Sequence, residues 1–440
     1  MNHHEPVYRD QRGRYPWWVK SVDEITTETD DSRFKKANMH SIIHGLLFES
    51  ERIQEHMEAS KVYVAKGIKE NIPGRSLPDL ALHYAAATYM HATIGSLGDP
   101  YINNMPGITE ISGEWKLHPP QTLDLPAWEA TPEEASKVVE KAGFQLGATM
   151  VGFTTIDPRW LLDMAASISS EVDEITSDGM KTFIPEKMKY VICVMGVVPP
   201  NLVDRNWTEL GAAGDRAGFE AAFTAYTRML RFIKGLGYQA LDLMPVAPVI
   251  PYAISAGLGE LGRMNRMVNP IFGGNVKLGA VLTDLPLALD KPIDFGLQEF
   301  CKKCKKCADA CPGNALSKEE QPTWEPFNQW QDAGKKVYFE DNEACMQAQR
   351  AKDVYCSICM AVCPWSKQDK TLLHEVAHIA AAKVPSMADF MVKMDDLFGY
   401  GRITDGRSIR KWWDMDLPPR GVDSYQGRRR SALRKLIRRL

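Results

Sequence analysis

The chain has 440 residues, 25% charged and 44% hydrophobic, with a formal net charge of −3 at pH 7. That length predicts two or three domains and a large core, and the charge balance gives no electrostatic reason to expect nucleic acid. Eight of the nine cysteines fall in two tight groups, which argues against a disulfide framework. No stretch reaches the roughly 18 apolar residues of a membrane-spanning helix, and Met1-Asn2-His3-His4 does not open a signal peptide.

Residues 1–125 are expected to be mostly helical and to contribute to a substrate pocket. Arg14-Tyr15-Pro16-Trp17-Trp18 is aromatic and basic, and helical periodicity over residues 32–94 breaks at Asn71-Ile72-Pro73-Gly74. Tyr84, Tyr89, His91 and Tyr101 are polar-tipped aromatics, read as packing groups with one wet end rather than as binding groups.

From there the punctuation sharpens. Thr131-Pro132-Glu133-Glu134 supplies an N-cap, a first-turn proline and a capping-box glutamate, which predicts a helix to about Ala142. Residues 145–156, 190–198, 239–243 and 278–285 read as strands, with Cys193 buried in the second. Phe219, Ala222, Phe223, Tyr226, Leu230 and Ile233 recur at spacings of three and four, one helical face ending at Gly235-Leu236-Gly237. The interleaving of helices and strands predicts an α+β core. Gly257-Leu258-Gly259-Glu260-Leu261-Gly262 fits the dinucleotide fingerprint, but the preceding residues 249–256 read as a helix and not a strand. A glycine turn that lets backbone approach a flat cofactor is the preferred reading.

The cysteine groups organise the second half. Cys301, Cys304, Cys307 and Cys311-Pro312 match C-x2-C-x2-C-x3-C-P, the run that holds cubane iron–sulfur clusters in bacterial ferredoxins. Cys345, Cys356, Cys359 and Cys363-Pro364 repeat it with the leading cysteine moved upstream. On that pattern Cys301, Cys304, Cys307 and Cys363 hold one [4Fe–4S] cluster, and Cys311, Cys345, Cys356 and Cys359 hold the other. Paired C-x2-C motifs also build zinc sites, but the doubled x3-C-P endings are not zinc habits. His374-Glu375-Val376-Ala377-His378 matches the zinc-protease motif, yet no Glu or His follows it to complete the site, and a helix against the second cluster is the simpler reading. The tail from Arg428 carries seven cations and no acid, with Leu433, Leu436, Ile437 and Leu440 on one helical face. It could dock on a membrane surface or an acidic partner, or stay solvated.

Taken together, these blocks resemble the corrinoid- and iron–sulfur-dependent reductive dehalogenases. The likeness runs from about residue 131 to residue 400. It rests on residues 146–153, Gly235-Leu236-Gly237-Tyr238, Ala256-Gly257-Leu258-Gly259, Phe272-Gly273-Gly274-Asn275-Val276-Lys277, Thr283-Asp284-Leu285-Pro286, residues 290–296 and both cysteine groups. The resemblance implies a nitroreductase-like core over residues 126–295, a ferredoxin-like two-cluster domain over 296–370 and a helical extension over 371–440. It also implies a base-off corrinoid of the cobalamin type near Gly257, Leu258, Gly259, Phe272, Asn275 and Lys277. The implied reaction replaces halogen by hydrogen on an organohalide through Co(I). Relatives carry a proton-donating tyrosine where this chain has Phe219 and a tryptophan where it has Gln349. Lys277 and Tyr355 therefore become the candidate catalytic groups, and Gln349 is expected to add a polar wall to the pocket. This pattern looks most like the enzymes of short polychlorinated alkanes such as chloroform. A place on the outer face of the cytoplasmic membrane, through an anchor protein or the basic tail, and a homodimer are further implications; a cytoplasmic site is the alternative. Two readings compete. Epoxyqueuosine reductase has a longer gap in its second cysteine group and ends in helical repeats not found here. A plain two-cluster electron carrier has no need of some 290 residues ahead of its clusters.

Overall fold

A computed structural model describes residues 6–9, 14–34, 66–67, 69–70, 72–75, 120, 126–367 except 164, 179–180, 329–330 and 353, and then 378–379, 388–397, 403–415 and 417. Tyr84, Tyr89, His91, Tyr101, His374, Glu375 and the basic tail lie outside the described residues.

Helix α1 (Pro132–Gln145) starts as its sequence dictates: Thr131 is extended and its hydroxyl accepts from the Glu134 amide at 3.3 Å. The helix runs three residues past the predicted end. The expected strand over 145–156 therefore shortens to β1 (Met150–Thr155), with Gly147 at φ 112° in the connecting turn. Strands β2 (Tyr190–Val197), β3 (Ala240–Asp242) and β4 (Val276–Thr283) complete one antiparallel sheet in the order β1-β2-β4-β3.

Alternation along β2 explains its unbroken apolar run. Val191, Cys193, Met195 and Val197 enter one hydrophobic cluster, while Ile192 and Val194 enter another on the opposite face. One face is covered by α1 and by α2 (Glu209–Gly235); the other is covered partly by α3 (Val249–Ser255). Helix α2 begins ten residues before the apolar face read from Phe219. Its first turns bury Gly211, Ala212, Ala213 and Gly214, small residues that carry little signal in a search for large hydrophobes.

The described N-terminal segment, residues 6–9 and 14–34, docks on the core. Tyr15 and Trp18 sit in the main core, Lys20–Ser21 pairs with Ile293–Asp294, and Tyr15 donates its hydroxyl to the Gly257 carbonyl at 2.8 Å. Buried Asp290 accepts from Arg9 and Arg14 and from the Phe153 amide, which ties this segment to the sheet. The same core cluster continues without a break from β2 and β4 to Cys301, Cys304, Cys307 and Trp365, so the cysteine module packs on the sheet. His378 is buried and stacks on Trp365 at 4.9 Å and 18°, a packing role beside the second cysteine group. Among the described residues no helix is long and apolar enough to cross a membrane.

Candidate functional site

Short helices present the cysteines. Helix α4 (Leu297–Lys303) carries Cys301, α5 (Lys306–Asp309) carries Cys307, α6 (Asn342–Lys352) carries Cys345 and α7 (Ile358–Ala361) carries Cys359. Cys301, Cys304, Cys307 and Cys363 line one cavity with Arg263 and Phe300, so the fourth thiol comes from the other motif. The remaining four form a second set: Cys356 interacts electrostatically with Cys311 and Cys359, and Cys345 with Cys356 and Cys359. Burial pushes the Cys304 thiol up to about 12 and the Cys359 thiol to about 11. Iron binding would therefore have to displace protons, the usual coupling for thiolate ligands. Backbone amides already point at sulfur: Arg263 donates to Cys301 Sγ at 3.4 Å and Ala315 to Cys311 Sγ at 3.3 Å. Four thiols around one cavity, with an N–H donor aimed at sulfur in each set, fit cubane clusters.

Next to the second set, the structure brings together three residues chosen from sequence. Lys277, opposite Gly196 in the β4–β2 register, extends toward α2. Its ammonium lies 4.2 Å from the centre of the Phe219 ring and 5.7 Å from that of Tyr355. Three participants were missed. Asp215, one helical turn before Phe219 on α2, is fully buried and pairs through Oδ1 with Lys277 Nζ at 2.7 Å. That oxygen also accepts from Ser357 Oγ at 2.5 Å, linking Lys277 to the residue after Cys356. Arg216 caps the Tyr355 ring at 4.5 Å. The available signal was the spacing: Asp215 and Phe219 stand four apart, hence on one helix face.

The electrostatics follow from burial. Desolvation lowers the Lys277 pKa, opposed by Asp215 and reinforced by Arg266 and Arg216. Desolvation, with Asp215, raises that of Tyr355. The ammonium is thus made the readier acid and the phenol the more reluctant one.

The other predicted residues make the following contacts. Gln349 Nε2 donates to the Cys345 carbonyl at 3.4 Å and its Oε1 accepts from the Cys356 amide at 3.2 Å. The amide is occupied in bracing the cysteine loop. Gly257 needs its positive φ of 66°, but the close approach at Gly259 is to protein, since a Cβ there would sit 2.3 Å from the Val268 carbonyl. Leu258 and Phe272 are core residues. Asn275 donates to the Ser366 carbonyl at 3.4 Å, while its buried Oδ1 and Asp215 Oδ2 have no hydrogen-bond partner among the described residues. A corrinoid's rim of amide side chains offers the donors that two such acceptors lack, so the residues fit that group.

Residues 300–366 match the 4Fe-4S double cluster binding domain. The tetrachloroethene reductive dehalogenase of Sulfurospirillum multivorans is 30% identical over 337 residues, covering 72% of this chain and 65% of the relative. The trichloroethene reductive dehalogenase of Dehalococcoides mccartyi is 29% identical, covering 69% and 61%. A solved structure described as a reductive dehalogenase suggesting a mechanism for B12-dependent dehalogenation superposes with a TM-score of 0.64 at 20% identity. It covers 90% of this chain and 50% of that one. The chain is similar to the reductive dehalogenases over most of its length. It combines a mixed helix-and-sheet core with a double-cluster module. It spans less than two thirds of the length of these dehalogenase relatives.

Proposed function

We propose that this chain catalyses reductive dehalogenation: replacement of one halogen by hydrogen on a small organohalide, consuming two electrons and one proton. The observation that carries the proposal is the convergence of Lys277, Phe219 and Tyr355 beside the second four-cysteine set. Charged electron-transfer ligands and a buried acid are thereby side by side. Two [4Fe–4S] clusters, on Cys301, Cys304, Cys307 and Cys363 and on Cys311, Cys345, Cys356 and Cys359, would relay the electrons. A corrinoid, when bound, would supply reduced cobalt as the reductant that cleaves the carbon–halogen bond. Asn275 and Lys277 are the residues we assign to its edge.

The protein's own work is protonation in a dry site. Phe219 has no transferable proton, so the donor passes to Lys277, whose ammonium burial has made more acidic. Asp215 holds Lys277 in place, and Tyr355 bounds the same space with a phenol that keeps its proton. Short polychlorinated alkanes are the substrates this arrangement favours, because the dichloromethyl fragment left when trichloromethane loses chloride is a halogen-stabilised carbanion and tolerates a lone ammonium as donor. The relatives named for tetrachloroethene and trichloroethene supply the competing substrate class.

The test is metal analysis of anaerobically prepared protein together with turnover of trichloromethane and tetrachloroethene. About eight irons and one cobalt per chain, with trichloromethane the faster substrate, is the expected result. Zinc, or iron without cobalt, overturns the function; faster tetrachloroethene overturns the substrate class alone.

A further inference from the structure

Two arginines three residues apart, Arg263 and Arg266, reach the two cysteine sets in electrically different states. Arg263 is 1% exposed, and every hydrogen bond its guanidinium makes goes to a neutral carbonyl. Nε donates to Cys301 and Cys304 at 3.0 Å each, Nη2 to Cys301 at 2.6 Å, and Nη1 to Ser317 at 2.8 Å and Glu319 at 2.7 Å. The guanidinium is stacked 3.9 Å from the centre of the Tyr338 ring. Among the described residues no carboxylate pairs with it. Its backbone amide also donates to Cys301 Sγ.

Arg266 is paired. Its fork grips buried Glu340, Nη1 to Oε2 at 2.6 Å and Nη2 to Oε1 at 3.1 Å. Glu340 holds the Arg266 pKa well above its ordinary value, with Cys345 and Cys359 contributing in the same direction. The charge nearest the second cysteine set is therefore largely cancelled, as is that of Lys277 by Asp215.

A cluster gains one negative charge on reduction, and its potential rises when a nearby net cation stabilises that charge. A guanidinium is a delocalised cation with five donors and no acceptor, so Arg263 brings its charge to the cavity it shares with Cys301 without a counter-charge among the described residues. A low-dielectric surrounding leaves that charge little screened.

We propose that Arg263 is an electrostatic tuning residue that holds the cluster on Cys301, Cys304, Cys307 and Cys363 at a higher reduction potential than the paired Arg266–Glu340 charge permits at the other. The inference rests on the two-cluster reading. The cluster far from Lys277 thus becomes the resting place of the first electron, and the cluster beside Lys277 stays the stronger reductant.

The test is a redox titration of the holoprotein followed by electron resonance, with iron analysis of each sample. Arg263→Gln should move one cluster signal to lower potential and leave the other in place, while Arg263→Lys, which keeps the charge without the fork, should restore most of it. Glu340→Gln, which exposes the Arg266 charge, should raise the other signal. Unchanged potentials at full iron, or equal shifts in Arg263→Gln and Arg263→Lys, overturn the inference. Should Arg263→Gln lose its iron, Glu340→Gln decides, and no rise there overturns it. A wild-type protein without about eight irons sinks the two-cluster reading instead.

Discussion

Asp215→Asn removes a charge and almost nothing else. Asparagine keeps the size of the side chain and an oxygen for Ser357, but not the ion pair to Lys277 at 2.7 Å. At that distance and an effective dielectric of about 20, the Coulomb attraction is about 6 kcal/mol. Breaking a buried pair costs about 3–5 kcal/mol when the survivor stays charged. Lys277 has a cheaper escape, because burial, Arg266 and Arg216 all lower its pKa and Asp215 alone among the larger influences opposes them. It gives up its proton, and the stability loss stays below that range. The sign for activity follows. A donor must be protonated, so turnover falls as pH rises through the Lys277 pKa, and Asp215→Asn moves that fall to lower pH. At pH 7 the expected loss is about 10²–10⁴-fold, recovered in part on acidification, with iron and cobalt content unchanged. Steady-state dehalogenation against pH with a reduced dye as donor reads this out. Wild-type and Asp215→Asn profiles that superimpose refute the reasoning.

Cys363→Ala should cost about half of the iron and abolish the electron-resonance signal of the cluster on Cys301, Cys304 and Cys307, whose cavity it shares; loss of the other signal reverses the pairing. Glu260 is buried with its carboxyl pushed up to about 7 by desolvation, although it accepts from the Phe295 amide and Thr26. Its folded pKa exceeds its unfolded one, so its roughly 3 kcal/mol contribution is present below about pH 4.5 and lost by about pH 7. Glu260→Gln should flatten that slope in denaturant titrations across the window. Gly273 has φ 60°, and a Cβ there would meet the Ser366 and Trp365 backbone at 2.3 Å. Gly273→Ala should cost at least the roughly 1–2 kcal/mol of a left-handed residue and displace the Trp365–Ser366 turn beside Cys363, read as a lower thermal midpoint and lost iron.

Where one residue type performs one chemistry at fixed spacing, the sequence was readable. The two cysteine groups, the Thr131 cap and the apolar run of β2 each state their role locally. Long-range placement was not. The docking of Tyr15 and Trp18 against the sheet joins positions more than 100 residues apart, and no local periodicity encodes it. Gln349 reads as a substitution in a pocket wall, while the preceding turn of α6 puts its amide between Cys345 and Cys356. Asp215 was hidden for another reason. An acid in the small-residue start of a helix looks solvated until β4 lays a lysine across it.

The socket around Lys277 suits a phenylalanine at position 219, where the family resemblance implies a proton-donating tyrosine. A phenol at 219 would bring its own proton, whereas a phenyl ring brings a π-face. Set 4.2 Å from the ammonium, that face stabilises the cation by roughly 0.5–2 kcal/mol. Asp215 adds the ion pair on another side, and the two together offset the burial that alone would strip Lys277 of its proton. Tyr355 receives no such support. Its neighbour Asp215 and its burial both disfavour the phenolate that proton donation would leave behind. The same carboxylate that keeps the ammonium loaded therefore discourages the competing phenol, and one substitution on α2, Asp215→Asn, should shift the balance between the two donors.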